Sequence, residues 1–449
     1  MSAYTSVSRT DRSARTRVLP SFAIAGTRGR ALAFATLAFF GGFAGVAVFG
    51  PLVPKFKDLL GLSPLAAAVL AAAPNLTGSL LRIPFGAAVE RLGGKRPFLA
   101  LLGVTIVGMI GLLVLLATSY PAHMAGTYPL LLGLGILIGA GVATFSVGVA
   151  QVSFWFPKRE QGGALGTYGG LGNTSPGLST IFLPLAVGAL GIVAAYQIWL
   201  GVLVAITLAY ALFAHDAPVF QARRRGIDIR PDQLAALGGG EMMPSATATR
   251  ALANAAREPV LWALIGFYFL SFGGFLALTA WLPTYWHNMY GASLRDAALL
   301  TAAFALVSAI FRVFGGVLSD RLPIRFALGG NFILIAAGLF VVAFSGSLPL
   351  SLAGTIAAAA GMGLQNAIVF KLVPIYVTRA VGGAAGWIGG LGALGGFVLP
   401  PLMGLTTGLI GGPHAYALGF LPIAILAVLA LPPVVSLEFW NRAHRIAVS

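Results

Sequence analysis

Long apolar runs alternate with short polar ones along almost the whole 449-residue chain. An apolar run of at least about 18 residues, at roughly 1.5 Å of helix rise per residue, crosses about 30 Å of hydrocarbon. The pattern predicts twelve such spans, at about 31–54, 64–89, 97–118, 128–154, 162–190, 192–213, 259–286, 293–318, 325–346, 349–376, 382–410 and 414–436. They take up most of the chain and leave no room for a soluble catalytic domain. The longest polar interval, 214–258, holds "QARRRGIDIRPDQ" and "LGGGEMMPSATATR", a mixture of charge, glycine and small polar residues that reads as a linker. It divides the spans six and six. The predicted organisation is a tail 1–30, a six-helix half 31–213, the linker 214–258, a second half 259–436 and a tail 437–449.

The halves resemble each other. "LRIPFGAAVERL" (81–92) aligns without gaps on "FRVFGGVLSDRL" (311–322), 230 positions later, so Arg82 matches Arg312, Glu90 matches Asp320 and Arg91 matches Arg321. "GALGTYGGLG" (163–172) aligns on "GAAGWIGGLG" (383–392) at a spacing of 220. Two pseudo-symmetric repeats of six helices favour a transporter with its site between the halves.

Composition agrees with a bilayer as solvent: 58 % of residues are hydrophobic, 9 % are charged and the mean hydropathy is +0.91. The net charge of +16 raises the question of nucleic acid, but its distribution sets topology instead. With both termini placed in the cytoplasm, 22 of the 28 Lys and Arg fall on that side, as the positive-inside rule requires. The Ala, Gly and Arg content points to a bacterial inner membrane. There is no cysteine, so neither disulfides nor thiolate metal sites are available. The five His lie in loops, tails or span ends, and no metal or cofactor site is predicted.

Three cations fall within spans: Arg82, Arg312 and Lys371, the last matching Gln151 in the repeat. Arg82 and Arg312 each precede by eight residues the acid that closes their helix, about 12 Å inside the membrane. A guanidinium there costs at least about 3 kcal/mol unless it faces a cavity or a partner; snorkelling to the interface is the competing account. The twelve Asp and Glu all lie in loops, tails or helix ends, so the missing partner is most simply an anionic substrate. Guanidinium forks suit small planar oxyanions. Glycines, 60 in all, cluster in the fifth and eleventh spans, including Gly166, Gly169, Gly170, Gly386, Gly389 and Gly390, and allow close helix approach. Glu90 with Arg91, and Asp320 with Arg321, read as cytoplasmic latches between helix ends.

The twelve spans, the central linker and the loop "GAAVERLGGKRP" with its weaker copy "GGVLSDRLPIR" resemble the major facilitator superfamily. Within it, the glycine-rich "GALGTYGGLGN" and "GAAGWIGGLGALGGF", the arginines in "LLRIPFG" and "AIFRVFGG", and "FSVGVAQVSFWFPK" resemble the nitrate/nitrite porter family. That resemblance implies a substrate clamp at Arg82 and Arg312. It also implies orienting groups at Asn173 and Tyr268 and aromatic walls at Phe145 and Phe272. Ser175 and Pro176 depart from its pattern just beyond Asn173, where it has Gly and an aliphatic residue. The expected function is exchange of nitrate and nitrite by alternating access, in a monomer whose surroundings are lipid. Lys371 would carry the proton in an alternative, proton-coupled uptake. Formate and oxalate are the competing substrates.

Overall fold

In a computed structural model of the protein, residues 24–443 are described apart from 228, 230–232, 235–239, 241, 245–247, 322 and 378–380. Described residues form helices and connecting turns, with no strand among them. Among the described residues, eleven helices are long and apolar enough to cross a membrane. The fifth predicted span is the exception. Here two helices, Lys158–Asn173 and Ser175–Leu190, meet end to end at Thr174. The first of them opens on the polar "KREQGG", which lowers its hydropathy. At the junction the Thr174 hydroxyl donates to Leu171 O (2.7 Å) and the Ser175 hydroxyl to Phe40 O (2.5 Å). Pro176 falls at the second position of the new helix, where its missing N–H is harmless. The residues that break the family pattern thus restart the helix rather than end the span. With this pair the described helices account for all twelve predicted spans.

Spans one to six pack chiefly on one another, as do seven to twelve. Between the halves, the second span packs on the eleventh, the fifth on the eighth, and the first on the seventh. Because the second span repeats as the eighth and the fifth as the eleventh, the 2–11 and 5–8 contacts are images of each other. The outward surface is apolar, with Val107, Val114, Phe182, Leu212, Phe344 and Leu409 more than half exposed, as lipid contact requires.

The linker begins with a tie to the second and third spans. Asp216, buried, accepts from the Lys95 backbone N–H (2.8 Å) and from Arg224, which also donates to Leu92 O (2.9 Å). Gly93 allows this contact: its φ is +77°, and a Cβ there would lie 2.6 Å from Asp216 Oδ1. Farther along, the helix Ala248–Ala256 lies against the start of the eleventh span, where Trp387 Nε1 donates to Leu252 O (3.0 Å). On the opposite face, Lys57 of the first span donates to Asn288 Oδ1 of the seventh (3.4 Å).

Candidate functional site

The second span is interrupted at Leu81, between Pro64–Leu80 and Arg82–Leu92. Arg82 follows the interruption, is fully buried, and spreads its guanidinium over three backbone carbonyls. Nε donates to Gly78 O (3.1 Å), Nη1 to Gly389 O (3.2 Å) and Nη2 to Val142 O (3.4 Å). These bonds offset the burial of a charge. Gly389 belongs to the other half, so Arg82 ties the second span to the eleventh.

Gly389 lies in a π-helical turn, Ile388–Gly392, which packs against a second one, Phe269–Gly273, in the seventh span. Such turns displace the regular hydrogen-bond ladder and recur at functional sites. Glycine makes the contact possible. A Cβ on Gly395 would lie 2.4 Å from Phe269 O, one on Gly273 would lie 2.6 Å from Gly395 Cα, and one on Gly392 would lie 2.7 Å from the Tyr268 ring.

Phe145 and Phe272 stack across the boundary between the halves, with centroids 6.4 Å apart and planes 28° apart. Both guanidiniums lie over both rings. Arg82 Cζ is 5.1 and 5.0 Å from the Phe145 and Phe272 centroids, and Arg312 Cζ is 5.7 and 5.4 Å away. Cation–π attraction holds the like charges against a common aromatic pair. Tyr168 holds Phe145 from behind, stacking on it and donating to Thr144 O (3.0 Å) and Phe145 O (3.2 Å). Tyr268 stacks on Phe272 (5.0 Å, 13°) and accepts from Arg312 Nη2 (3.4 Å). The two arginines are not equivalent. Arg82 is engaged by backbone on three sides, whereas Arg312 is half-buried and borders a small cavity lined by Asn173, Phe272, Phe275, Ser308, Ala309, Arg312 and Asn366.

The structure therefore brings together Arg82, Arg312, Tyr268, Phe145, Phe272 and Asn173. Asn173 Nδ2 donates to Gly169 O (2.5 Å), and its Oδ1 has no partner. Lys371 lies elsewhere: it is half-buried toward the end of the tenth span, outside the cavity wall. The glycines divide. A Cβ on Gly166 would meet nothing within 4 Å, and on Gly169, Gly170, Gly386 or Gly389 nothing closer than 3.5 Å, whereas on Gly390 it would lie 2.5 Å from Ile83. Arg91 is exposed; Arg223 and Arg224 donate to Glu90 O (3.5 Å) and Leu92 O (2.9 Å) at the end of the second span, and Asp216 accepts from Lys95 at the start of the third. The side chains of Asp320 and Arg321 lie outside the described residues. The sequence reading also passed over Ser308, Asn366 and Tyr168. Ser308 stands one helical turn before Arg312, and Asn366 is a polar residue deep in an apolar span; those were the available signals.

The chain matches the sequence profile of the Major Facilitator Superfamily over residues 35–400 and 289–447. The solved structures agree on the fold: a D-xylose–proton symporter superposes with a TM-score of 0.70 at 14 % identity, covering 90 % of this chain and 97 % of that one. Among curated proteins, the "Probable nitrate/nitrite antiporter NarK1" of Thermus thermophilus is 32 % identical over 413 residues, 86 % of this chain and 87 % of that protein. The "Probable nitrate/nitrite transporter NarK2" of Mycobacterium tuberculosis is 31 % identical, covering 85 % and 90 %. The "Nitrite extrusion protein" of Bacillus subtilis is 29 % identical, covering 92 % and 95 %. The chain belongs to the nitrate/nitrite porter family of the major facilitator superfamily.

Proposed function

We propose that the protein carries nitrate and nitrite across a bacterial inner membrane, exchanging one for the other by alternating access, with both termini in the cytoplasm. The observation that carries this reading is the placement of two guanidiniums over one pair of facing Phe rings, one ring from each half. The ring separation of 6.4 Å is just short of two van der Waals contacts of about 3.5 Å each, so a slight parting of the halves admits one planar group. Asp216 is the one acid among the buried residues described, and it lies at the linker, not at the site. The anion supplies the negative charge between Arg82 and Arg312.

Exchange follows from that charge. Occluding two like charges without a counter-ion is unfavourable, and an anion between them removes the penalty. Return of the carrier is therefore fast when an anion travels with it. For Arg82 to grip the anion, Nη1 leaves Gly389 O, which frees the second span from the eleventh at that point. Binding and release of an inter-half tie then become one event.

The test is a competition panel in proteoliposomes, with uptake of labelled nitrate measured against nitrite, formate and oxalate. Nitrite competing at concentrations close to those of nitrate, with the carboxylates weaker by at least tenfold, supports the reading. Formate or oxalate competing as well as nitrite contradicts it.

A further inference from the structure

Two close glycine contacts fix the tenth span against the backbone of the eighth. A Cβ on Gly363 would lie 2.3 Å from Ser308 O and 3.1 Å from the Arg312 nitrogen, and one on Gly315 would lie 2.4 Å from Leu364 O. Asn366, one helical turn beyond Gly363, is thereby held beside Arg312 in the cavity wall. It is 2 % exposed, and its Oδ1 has no partner.

The other buried asparagines are each tied. Asn75 Nδ2 donates to Gly396 O (3.1 Å), Asn173 Nδ2 to Gly169 O (2.5 Å) and Asn331 Nδ2 to Gln365 Oε1 (3.4 Å). No hydrogen bond among the described residues engages Asn366. A buried amide without hydrogen bonds is unfavourable, and turning it breaks nothing. Its Nδ2 is a donor that the cavity can use, next to a guanidinium that attracts anions.

We propose that Asn366 is a specificity-determining residue of this site, donating to the third oxygen of a trigonal oxyanion held by Arg312 and so favouring nitrate over nitrite. The assignment rests on the nitrate/nitrite reading above. A guanidinium fork occupies two oxygens along one edge of the anion. Nitrite, bent and with two oxygens shared between this fork and Arg82, then has no third oxygen to offer. Nitrate has one oxygen left, and a side-chain amide beside the guanidinium meets it. Sites that hydrogen-bond one group discriminate against an analogue lacking it, because the buried donor is left unpaired.

The experiment reads half-saturating nitrate and nitrite separately, each as a competitor of labelled-nitrite counterflow, in wild-type and Asn366→Leu proteoliposomes. Leucine keeps the volume and removes the donor. Half-saturating nitrate is expected to rise about tenfold, the equivalent of about 1.4 kcal/mol, while nitrite changes less than threefold. Asn366→Asp, which keeps the shape but repels anions, is expected to lose both while remaining folded. Should the leucine variant fail to insert, thermal stabilisation of Asn366→Ser by nitrate against nitrite reads the same ratio. Nitrate and nitrite shifting in parallel, or neither shifting, overturns the role of Asn366. A wild-type protein that moves neither anion contradicts the transport reading instead.

Discussion

Arg82 and Arg312 occupy matched positions in the repeat, yet the fold treats them differently, and substitution exposes the difference. Lysine keeps the charge but loses the planar fork. In Arg82→Lys, one ammonium replaces a guanidinium that reaches three carbonyls from the second, fourth and eleventh spans. Each bond lost to a charged donor removes roughly 1.5–3 kcal/mol, so the detergent-solubilised variant is expected to melt several degrees lower. Among the described residues Arg312 makes one long bond, to Tyr268 at 3.4 Å, and Arg312→Lys is expected to melt close to wild type. Both variants are expected to lose at least about 99 % of nitrate flux. A single thermal-unfolding series beside a flux assay checks the pair; equal melting of the two variants contradicts the division, and wild-type flux in either removes that residue from the clamp. The positions of both arginines were legible in the sequence, because an unbalanced cation in an apolar span demands a partner. Their unequal engagement was not, since it depends on which carbonyls the neighbouring spans present.

At the scale of elements, the paired π-turns of the seventh and eleventh spans organise the site, and their glycines give a matched comparison. Gly392→Ala places a methyl 2.7 Å from the Tyr268 ring, which stacks on Phe272 and bonds Arg312. Displacing that ring is expected to weaken nitrate binding about tenfold. Gly386→Ala meets only the flexible end of Leu252 at 3.5 Å and is expected to bind as wild type. Titration of nitrate-induced thermal stabilisation compares the two, and equal affinities would show that the π-turn contact does not position Tyr268. The helical fold and the span count followed from periodicity and self-similarity. The π-turns did not, because they arise where Gly273, Gly392 and Gly395 let two backbones meet, a tertiary event that no single span records. The division among the glycines is tertiary in the same way: Gly390 is tightly packed here, Gly166 faces space, and a Cβ on Gly389 would touch only Ser146 Oγ, at 3.7 Å. A large side chain at Gly389, as in Gly389→Leu, is expected to spare nitrate binding in this conformation and to slow flux if the face must close in another. Loss of binding together with flux would make Gly389 a packing residue alone.

For the whole molecule, the central claim is obligate exchange between two halves that close around a positively charged site. The halves are joined on one face by Lys57–Asn288, deeper by Asn75–Gly396, and at the site by Arg82–Gly389. In the exchange proposed above, the anion competes for the last of these alone and so releases it. Lys371 stands outside the cavity wall, so Lys371→Gln is expected to retain nitrate/nitrite exchange; loss of exchange in that variant would return the lysine to the site. The most direct measurement is counterflow of labelled nitrate into proteoliposomes loaded with nitrite or with no permeant anion, each with and without an inward proton gradient. Exchange predicts rapid entry against internal nitrite, little entry into liposomes lacking it, and the same rates whether or not the gradient is present. Gradient-driven accumulation of nitrate in liposomes without internal anion would contradict it.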